Sequence, residues 1–450
     1  MEQSQIDFAI EEIRAALESG HVLDAIAALI RLHPVDRAEA FSDLDDEDQA
    51  RLLPSLDIPT TADLLEELED PEAADVAEGL PTELLADVLD KMEPDEAADV
   101  LGDISPERAA EALAEMEDAE EVIPLLEHPD ETAGGLMTTS YIALRPSTTA
   151  EQAIEFLRQV SPDEETPYYL NVIDRERRLV GIVGLRDLVI ASPEAHVDTL
   201  MDKEVIYVTT DTDQEDVARL MVRYDLAALP VVDQKGVLWG VITYDDLMDV
   251  LEAEATEDLY RLANIPDPDL SIESPVSLSV RRRLPWLLVS ATTAFFASWV
   301  ISQFESIIAQ VALLAVFLSV VAGLGGNSAT QSLAIMVRAI ALGEIQLREA
   351  WRTILKEALT GLLQGAAVGA IAGLGVFLWK GNPILGLVLG LALLGNILVA
   401  GIVGTMIPLI LKGLKMDPAL ASSVLVTTVT DAVGFALFLG LATIFLPYLK

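Results

Sequence analysis

The sequence predicts a multi-domain protein: an all-α superhelical N domain, a duplicated α/β module, and an α-helical membrane domain with five transmembrane helices. Three observations carry that expectation. Short Ala/Leu/Glu/Asp segments punctuated by proline fill residues 1–135, a strand–strand–helix pattern occurs twice within 136–253, and long apolar runs follow Arg281-Arg282-Arg283. Residues 254–280 make an acidic connecting helix and linker before the membrane part at 281–450. The 450 residues carry a net charge of -46, unevenly spread. Residues 1–280 hold 17 basic and 68 acidic side chains, against 11 and 6 in 281–450.

That charge excludes some partners and favours others. Nucleic acid is disfavoured, because its phosphates call for Lys and Arg. The charge suits cations, because crowded carboxylates repel until a positive charge sits between them, and composition equally suits a solvated acidic surface or a high-salt lifestyle. Cysteine is absent and the four histidines (His21, His33, His128, His196) all precede the membrane part. A metal handled within the membrane would therefore meet oxygen ligands, which suits hard cations such as magnesium, calcium or manganese. The acidic start MEQSQIDFAIEEIRAAL has no signal-peptide pattern, so the soluble part is expected in the cytoplasm.

In the N domain, Pro54, Pro71, Pro81, Pro94 and Pro106 stand where new short helices would begin. LPTELLADVL, MEPDEAADVL and ISPERAAEAL repeat one template, the mark of stacked helices. Asp95 and Asp99 share one helix face, where like charges are unfavourable unless something bridges them; taken alone, the pair reads as an exposed, solvated face.

In the middle part, YYLNVID and LVGIVG read as strands and LRDLVIA as a helix; LPVVD, LWGVIT and YDDLMDVLEAEA repeat the order. Glu151–Val160 and Gln214–Arg223 supply the preceding helices. Each strand pair leads from a glycine to Asp-Leu: Gly181 to Asp187-Leu188, then Gly240 to Asp246-Leu247. This duplication resembles a tandem pair of CBS domains, so the fold expected here is an α/β CBS pair. In that family such pairs often bind adenine nucleotides. The resemblance implies regulatory ATP at Tyr169, Arg186 and Asp187, bound but not hydrolysed, and no G-x-x-x-x-G-K-[ST] loop exists. The family's Ser or Thr three residues before the Asp is Thr243 in the second module but Gly184 in the first.

The membrane part has charge-free runs Leu284–Ile301, Ile307–Val337, Ala358–Trp379 and Gly381–Leu411, then Pro418–Leu449 with Asp431 as its one charged residue. The Arg triplet, Arg338, Arg348, Arg352, Lys356, Lys412 and Lys415 fall on one side, which predicts a cytoplasmic N-terminus and an extracytoplasmic C-terminus. A span needs about 20 residues, so the longer runs must tilt, kink or break. The sequence GLGGNSATQS places Gly323, Gly325 and Gly326 before Asn327, Ser328, Thr330 and Gln331, which predicts a pore-lining break in the second run. A small-residue packing face is the alternative. A carboxylate within a bilayer is costly and marks an ion or proton path, so Asp431, with Thr427, Thr428 and Thr430 beside it, is the candidate conduction site.

Taken together, AGGLMT (133–138), TDTDQEDVARLM (210–221), YDDLMDVLEAEATED (244–258), GGN with TQS, and Asp431 resemble the MgtE family of magnesium channels/transporters. The resemblance implies a plasma-membrane homodimer, contacting lipid and divalent cations, that is not an enzyme and imports Mg2+. Its pore and selectivity residues would be Asp431, Asn327, Gly325, Gly326 and Thr428. It also implies closure when cytosolic Mg2+ bridges acids at Asp95, Asp99, Asp213, Glu215, Asp225, Asp246, Asp249, Glu254, Glu257 and Asp258. Where family members commonly show Ala-Ser-Gly-Pro or Ser-Asn-Pro, this chain has Ala421-Ser422-Ser423-Val424. The competing expectation is a proton-coupled divalent-cation transporter, carrying Mn2+ or Co2+ as well, with Asp431 cycling between charged and protonated forms.

Overall fold

The computed structural model describes residues 3–160, 169–265, 270, 272, 274–345, 350–419 and 422–449. The chain divides into two compact units, Met1–Val250 and Leu251–Lys450.

The first unit opens with ten short helices: α1 (Gln3–Glu18), α2 (Val22–Leu29), α3 (Pro34–Ser42), α4 (Asp46–Leu52), α5 (Ile58–Glu66), α6 (Asp70–Gly79), α7 (Thr82–Leu89), α8 (Pro94–Asp103), α9 (Pro106–Glu115) and α10 (Ala119–Val122). Pro71, Pro94 and Pro106 sit in the first turns of α6, α8 and α9, where a missing N–H costs nothing. Pro81 is the N-cap of α7, and Pro54 lies in a 3-10 turn at Leu53–Ser55. From α5 onward each helix packs on the next but one: α5 on α7 and α7 on α9, α6 on α8 and α8 on α10. Two rows result, as the repeated template predicts.

Several acids of this domain act as remote helix caps. Glu66 accepts from the Glu93 N–H (2.9 Å), Glu78 from Ser105 (2.7 Å), and Asp90 from Glu117 (2.8 Å) and Asp118 (3.1 Å). The acceptors Glu66, Glu78 and Asp90 recur at the spacing of the repeat. Each joins successive layers by satisfying backbone N–H groups that a helix start leaves unpaired.

The CBS-like pair follows. β1 (Ala143–Leu144) pairs parallel with β2 (Tyr169–Ile173), which pairs antiparallel with β3 (Leu179–Gly184). The second copy repeats this with β4 (Val208–Thr209), β5 (Ala228–Val232) and β6 (Leu238–Thr243). Both copies have a bulge at the same place, Val172/Ile173 and Val231/Val232. Helices α11 (Ala150–Val160), α12 (Leu185–Ile190), α13 (Val197–Leu200) and α14 (Gln214–Tyr224) complete the layers. The paired glycines have one reason. A Cβ on Gly181 would lie 2.8 Å from the Asp202 carbonyl oxygen, and one on Gly240 2.6 Å from that of Thr138. Helix α15 (Tyr244–Leu262) continues without interruption past residue 253. The expected linker falls partly at 266–269, 271 and 273, outside the described residues.

The second unit contains α16 (Val276–Ser302), α17 (Glu305–Gln310), α18 (Leu313–Ala341), α19 (Ala350–Lys380), α20 (Pro383–Gly413), α21 (Ser422–Ile444) and α22 (Leu446–Leu449). Five of these, α16 and α18 to α21, are long and apolar enough to cross a membrane. α20 is central and packs on α18, α19 and α21. Its contact with α19 is a glycine seam: a Cβ on Gly369 would lie 2.4 Å from the Gly390 oxygen, and one on Gly386 2.4 Å from that of Gly373.

One expectation is corrected. The GLGGNSATQS stretch is unbroken helix within α18. The interruption in this apolar run comes earlier, at Val311 (φ -133, ψ 75), which separates α17 from α18. Glycine permits a break but does not impose one, and within a bilayer an intact helix keeps every backbone hydrogen bond.

Candidate functional site

In the second unit, Asp431 sits half-buried midway along α21. It lines a cavity of about 210 Å³ with Ser423, Val424, Thr427 and Thr428 from α21, Ser290, Thr293 and Ala294 from α16, and Asn264. The helical spacing 424, 427, 428, 431 puts these residues on one face of α21. Thr428 Oγ1 donates to the Val424 carbonyl (2.6 Å) and Thr293 Oγ1 to that of Ser290 (2.9 Å). With their protons committed to backbone, these hydroxyls can offer oxygen lone pairs to a positive guest.

Of the five sequence-derived pore candidates, the structure brings Asp431 and Thr428 together. Asn327 is exposed on α18 and lines no part of this cavity, and Gly326 faces open space. Gly325 is buried against the side chain of Asn396. Ala421 lies outside the described residues; Ser423 and Val424 from the same departure stand at the cavity wall. Sequence reading passed over Asn264, Ser290 and Thr293. The signal available for the last two was the polar spacing in SATT of an otherwise apolar run.

Beside this cavity, Arg261 on α15 pairs with both Glu257 and Asp417. Asp417 Oδ1 also accepts from the Ala419 N–H (2.8 Å), and Asn264 Nδ2 donates to Ser423 Oγ (3.4 Å). The end of α15 is thus tied to the chain entering α21, and the Glu257 carboxylate is engaged by a guanidinium.

The first unit holds a separate acidic cluster. Asp95 and Glu96 lie in the first turn of α8 and Asp99 one turn on, with Asp246 near the start of α15. Asp95 is 7% exposed, and its Oδ1 is buried with no hydrogen-bond partner. Burial pushes Asp95 up to about 7, with Asp246 repulsion adding to it, and pushes Glu96 up to about 9, with Asp95 and Asp99 adding. Asp99 rises to about 8 through burial and the charges of Asp70 and Asp95. Asp246 rises to about 6 through burial, moderated by hydrogen bonds from the Thr243 N–H (2.7 Å) and Oγ1 (2.9 Å). Both bonds are accepted by Asp246 Oδ2, which satisfies the Thr243 N–H at the start of α15.

The other acids are distributed differently. Asp213 caps α14 by accepting from the Glu215 N–H (3.0 Å), and Glu215 pairs with Arg219 (2.7 Å). Asp225 closes the far end of α14 in a left-handed conformation (φ 53). Asp249, Glu254 and Asp258 all lie on α15, each with an interacting partner. Among the described residues, no three His, Asp or Glu side chains form a group that could by themselves hold a metal ion. The nucleotide candidates stand together in part. Tyr169 pairs with Gly184 across the sheet, and a Cβ on Gly184 would lie 2.9 Å from Asp187 Oδ2 and 3.7 Å from Tyr169 Cε1. Arg186 is exposed on the same turn.

Three family patterns match the chain: the MgtE intracellular N domain at 32–131, the CBS domain at 133–194 and 197–253, and MgtE, described as a divalent cation transporter, at 318–441. The magnesium transporter MgtE of Thermus thermophilus is 43% identical over 72% of this chain and 72% of its own length. That of Enterococcus faecalis is 37% identical over 74% and 73%. A crystal structure of the cytosolic domain of the Mg2+ channel MgtE in complex with ATP matches with TM-score 0.51 and 36% identity, covering 54% of this chain and 99% of that one. Family membership makes the protein a multi-pass membrane transporter rather than an enzyme. The chain belongs to the MgtE family of divalent cation transporters.

Proposed function

We propose that the protein is a homodimeric, plasma-membrane magnesium channel, with Asp431 the carboxylate that meets the permeating ion. The observation that carries this reading is a lone acid on a membrane helix, opening onto a hydroxyl-lined cavity of about 210 Å³. Mg2+ sheds water reluctantly and keeps octahedral geometry. With six waters of about 30 Å³ each it occupies about 180 Å³, the same order of size as the cavity. The names of the T. thermophilus and E. faecalis relatives support magnesium as cargo. Import follows a negative-inside potential through a protein whose N-terminal half is cytoplasmic and whose C-terminus is extracytoplasmic, as the Arg281–Arg283 triplet predicts.

Cytosolic Mg2+ closes the channel by neutralising acids gathered around Asp95, Asp99 and Asp246 and along α15. The orphaned Asp95 oxygen and the raised proton affinities support this, since both describe carboxylates that lack positive partners. Asp213, Glu215 and Asp225 lie at the two ends of α14, so they would serve separate contacts. Each already has structural work, as does Glu257, paired with Arg261. Regulatory ATP would rest on Tyr169, Arg186 and Asp187, a reading supported by the relative whose cytosolic domain was crystallised with ATP.

Reconstituted into liposomes at low internal Mg2+, the protein is expected to take up Mg2+ at a rate set by membrane potential and unchanged by a pH gradient. Uptake that follows the pH gradient at fixed potential would instead establish proton coupling and reject the channel.

A further inference from the structure

The middle of α20 contains a buried polar side chain that neither lines the cavity nor joins the acidic cluster. Asn396 is 0% exposed, surrounded by apolar helices. Its Nδ2 donates to the Val321 carbonyl of α18 (3.1 Å), while Oδ1 has no partner. The amide orientation is fixed by chemistry, because turning it over would set Oδ1 against the Val321 oxygen.

Two glycines from two other helices make room for this amide. A Cβ on Gly325 of α18 would fall 2.1 Å from Asn396 Nδ2, and its three nearest atoms all belong to Asn396. A Cβ on Gly434 of α21 would fall 2.5 Å from Nδ2 and 2.8 Å from Cγ. The amide therefore lies where α18, α20 and α21 approach one another. Gly434 is three residues beyond Asp431, so the contact falls on α21 about one turn after the acid. A leucine would fill a similar space with no unsatisfied oxygen, so packing alone does not explain an asparagine here.

We infer that Asn396 is a positioning residue: its amide ties α20 to α18 and gives Gly434 of α21 a fixed surface to rest on, which aims Asp431 into the cavity and sharpens selection among divalent cations. This rests on the reading that Asp431 meets the ion. The coupling runs through one hydrogen bond and two close approaches. A pin made only of shape could be replaced by shape, whereas a pin made of the Nδ2–carbonyl bond could not.

The absence of cysteine gives a clean reporter. Val426 on α21 is 1% exposed, so Val426→Cys should resist a water-soluble thiosulfonate in the reconstituted full-length protein. Asn396→Leu is expected to raise its modification rate about tenfold and to lower the ratio of Mg2+ to Ca2+ flux about tenfold, near 1.4 kcal/mol of lost discrimination. Gly325→Ala with Asn396→Ala restores the volume without the amide. It should melt like the native protein in detergent, yet show the same exposed thiol and the same relaxed selectivity. Native-like thiol protection and selectivity in that double variant would overturn the proposal and leave Asn396 a space-filler. If Asn396→Leu does not fold, the double variant decides alone. The Asp431 reading fails separately: Asp431→Asn would then conduct normally, while the thiol reactivity would still report whether the pin exists.

Discussion

The soluble part should lose stability as pH rises, which is the reverse of the usual behaviour of a carboxylate-rich protein. Burial and mutual repulsion raise Asp246 to about 6, Asp95 to about 7, Asp99 to about 8 and Glu96 to about 9. In the unfolded chain these groups titrate near 4. Below about pH 4 both states are protonated and the contribution is fully present. Above it the unfolded chain ionises while the folded cluster still holds protons, so stability falls until about pH 9. Asp57, Asp174, Asp211 and Asp233, held below the ordinary range chiefly by hydrogen bonds, act only in more acid solution and do not offset this.

A tenfold difference in proton affinity between folded and unfolded chain corresponds to about 1.4 kcal/mol. At about 2–4 °C per kcal/mol for a domain of this size, a net loss of only about 3–4 kcal/mol suffices to lower Tm of a fragment ending at Leu262 by about 10 °C. A drop of at least that size is therefore expected between pH 5 and pH 9. A relative's cytosolic domain was crystallised by itself, so such a fragment is a reasonable specimen. On the proposed gating, Mg2+ at about 10 mM should recover much of the loss at pH 9, since a ligand of the folded cluster alone shifts the equilibrium towards the folded state. A Tm that is flat or rising over this window, or indifferent to Mg2+, would count against the cluster as a cation sensor.

Neutralising the cluster should uncouple conduction from cytosolic Mg2+. In Asp99→Asn combined with Asp246→Asn, the amides remove the repulsion that Mg2+ relieves but cannot bridge to an ion. In patches with the cytosolic face exposed, the Mg2+ concentration for half inhibition should rise by about tenfold or more, equivalent to at least about 1.4 kcal/mol of lost binding. Unitary conductance should stay unchanged, since neither residue belongs to the membrane-spanning helices. Inhibition at the native concentration would place the gate elsewhere on α15.

Much of the architecture was legible because it is written in periodic or costly residues. Pro71, Pro94 and Pro106 mark helix starts since proline tolerates few other helical positions, and β2, β3, β5 and β6 show the short apolar runs of largely buried strands. β1 and β4 carry no such signal, because two residues each cannot display a period. Asp431 stood out because an acid in an apolar run is expensive. Its cavity partners did not, because Ser290 and Thr293 come from α16 and Asn264 from the end of the acidic connector, joined to α21 only by folding. The GGN stretch is special for a reason the structure revises: Gly325 admits a neighbour's amide and leaves its own helix intact. A lone Asn396 in a run of leucines and glycines offers no periodic signal.

The most direct test is single-channel recording with Mg2+ as the only permeant cation, comparing the native chain with Asp431→Asn at low cytosolic Mg2+. A unit charge at about 4 Å is worth about 4 kcal/mol at an effective dielectric near 20, and more for a divalent ion. Its removal should therefore cut Mg2+ current at least about 100-fold. The prediction is unitary Mg2+ currents from the native protein and silence from the folded variant. Currents of native amplitude from Asp431→Asn would contradict the account and move the ion path away from this cavity.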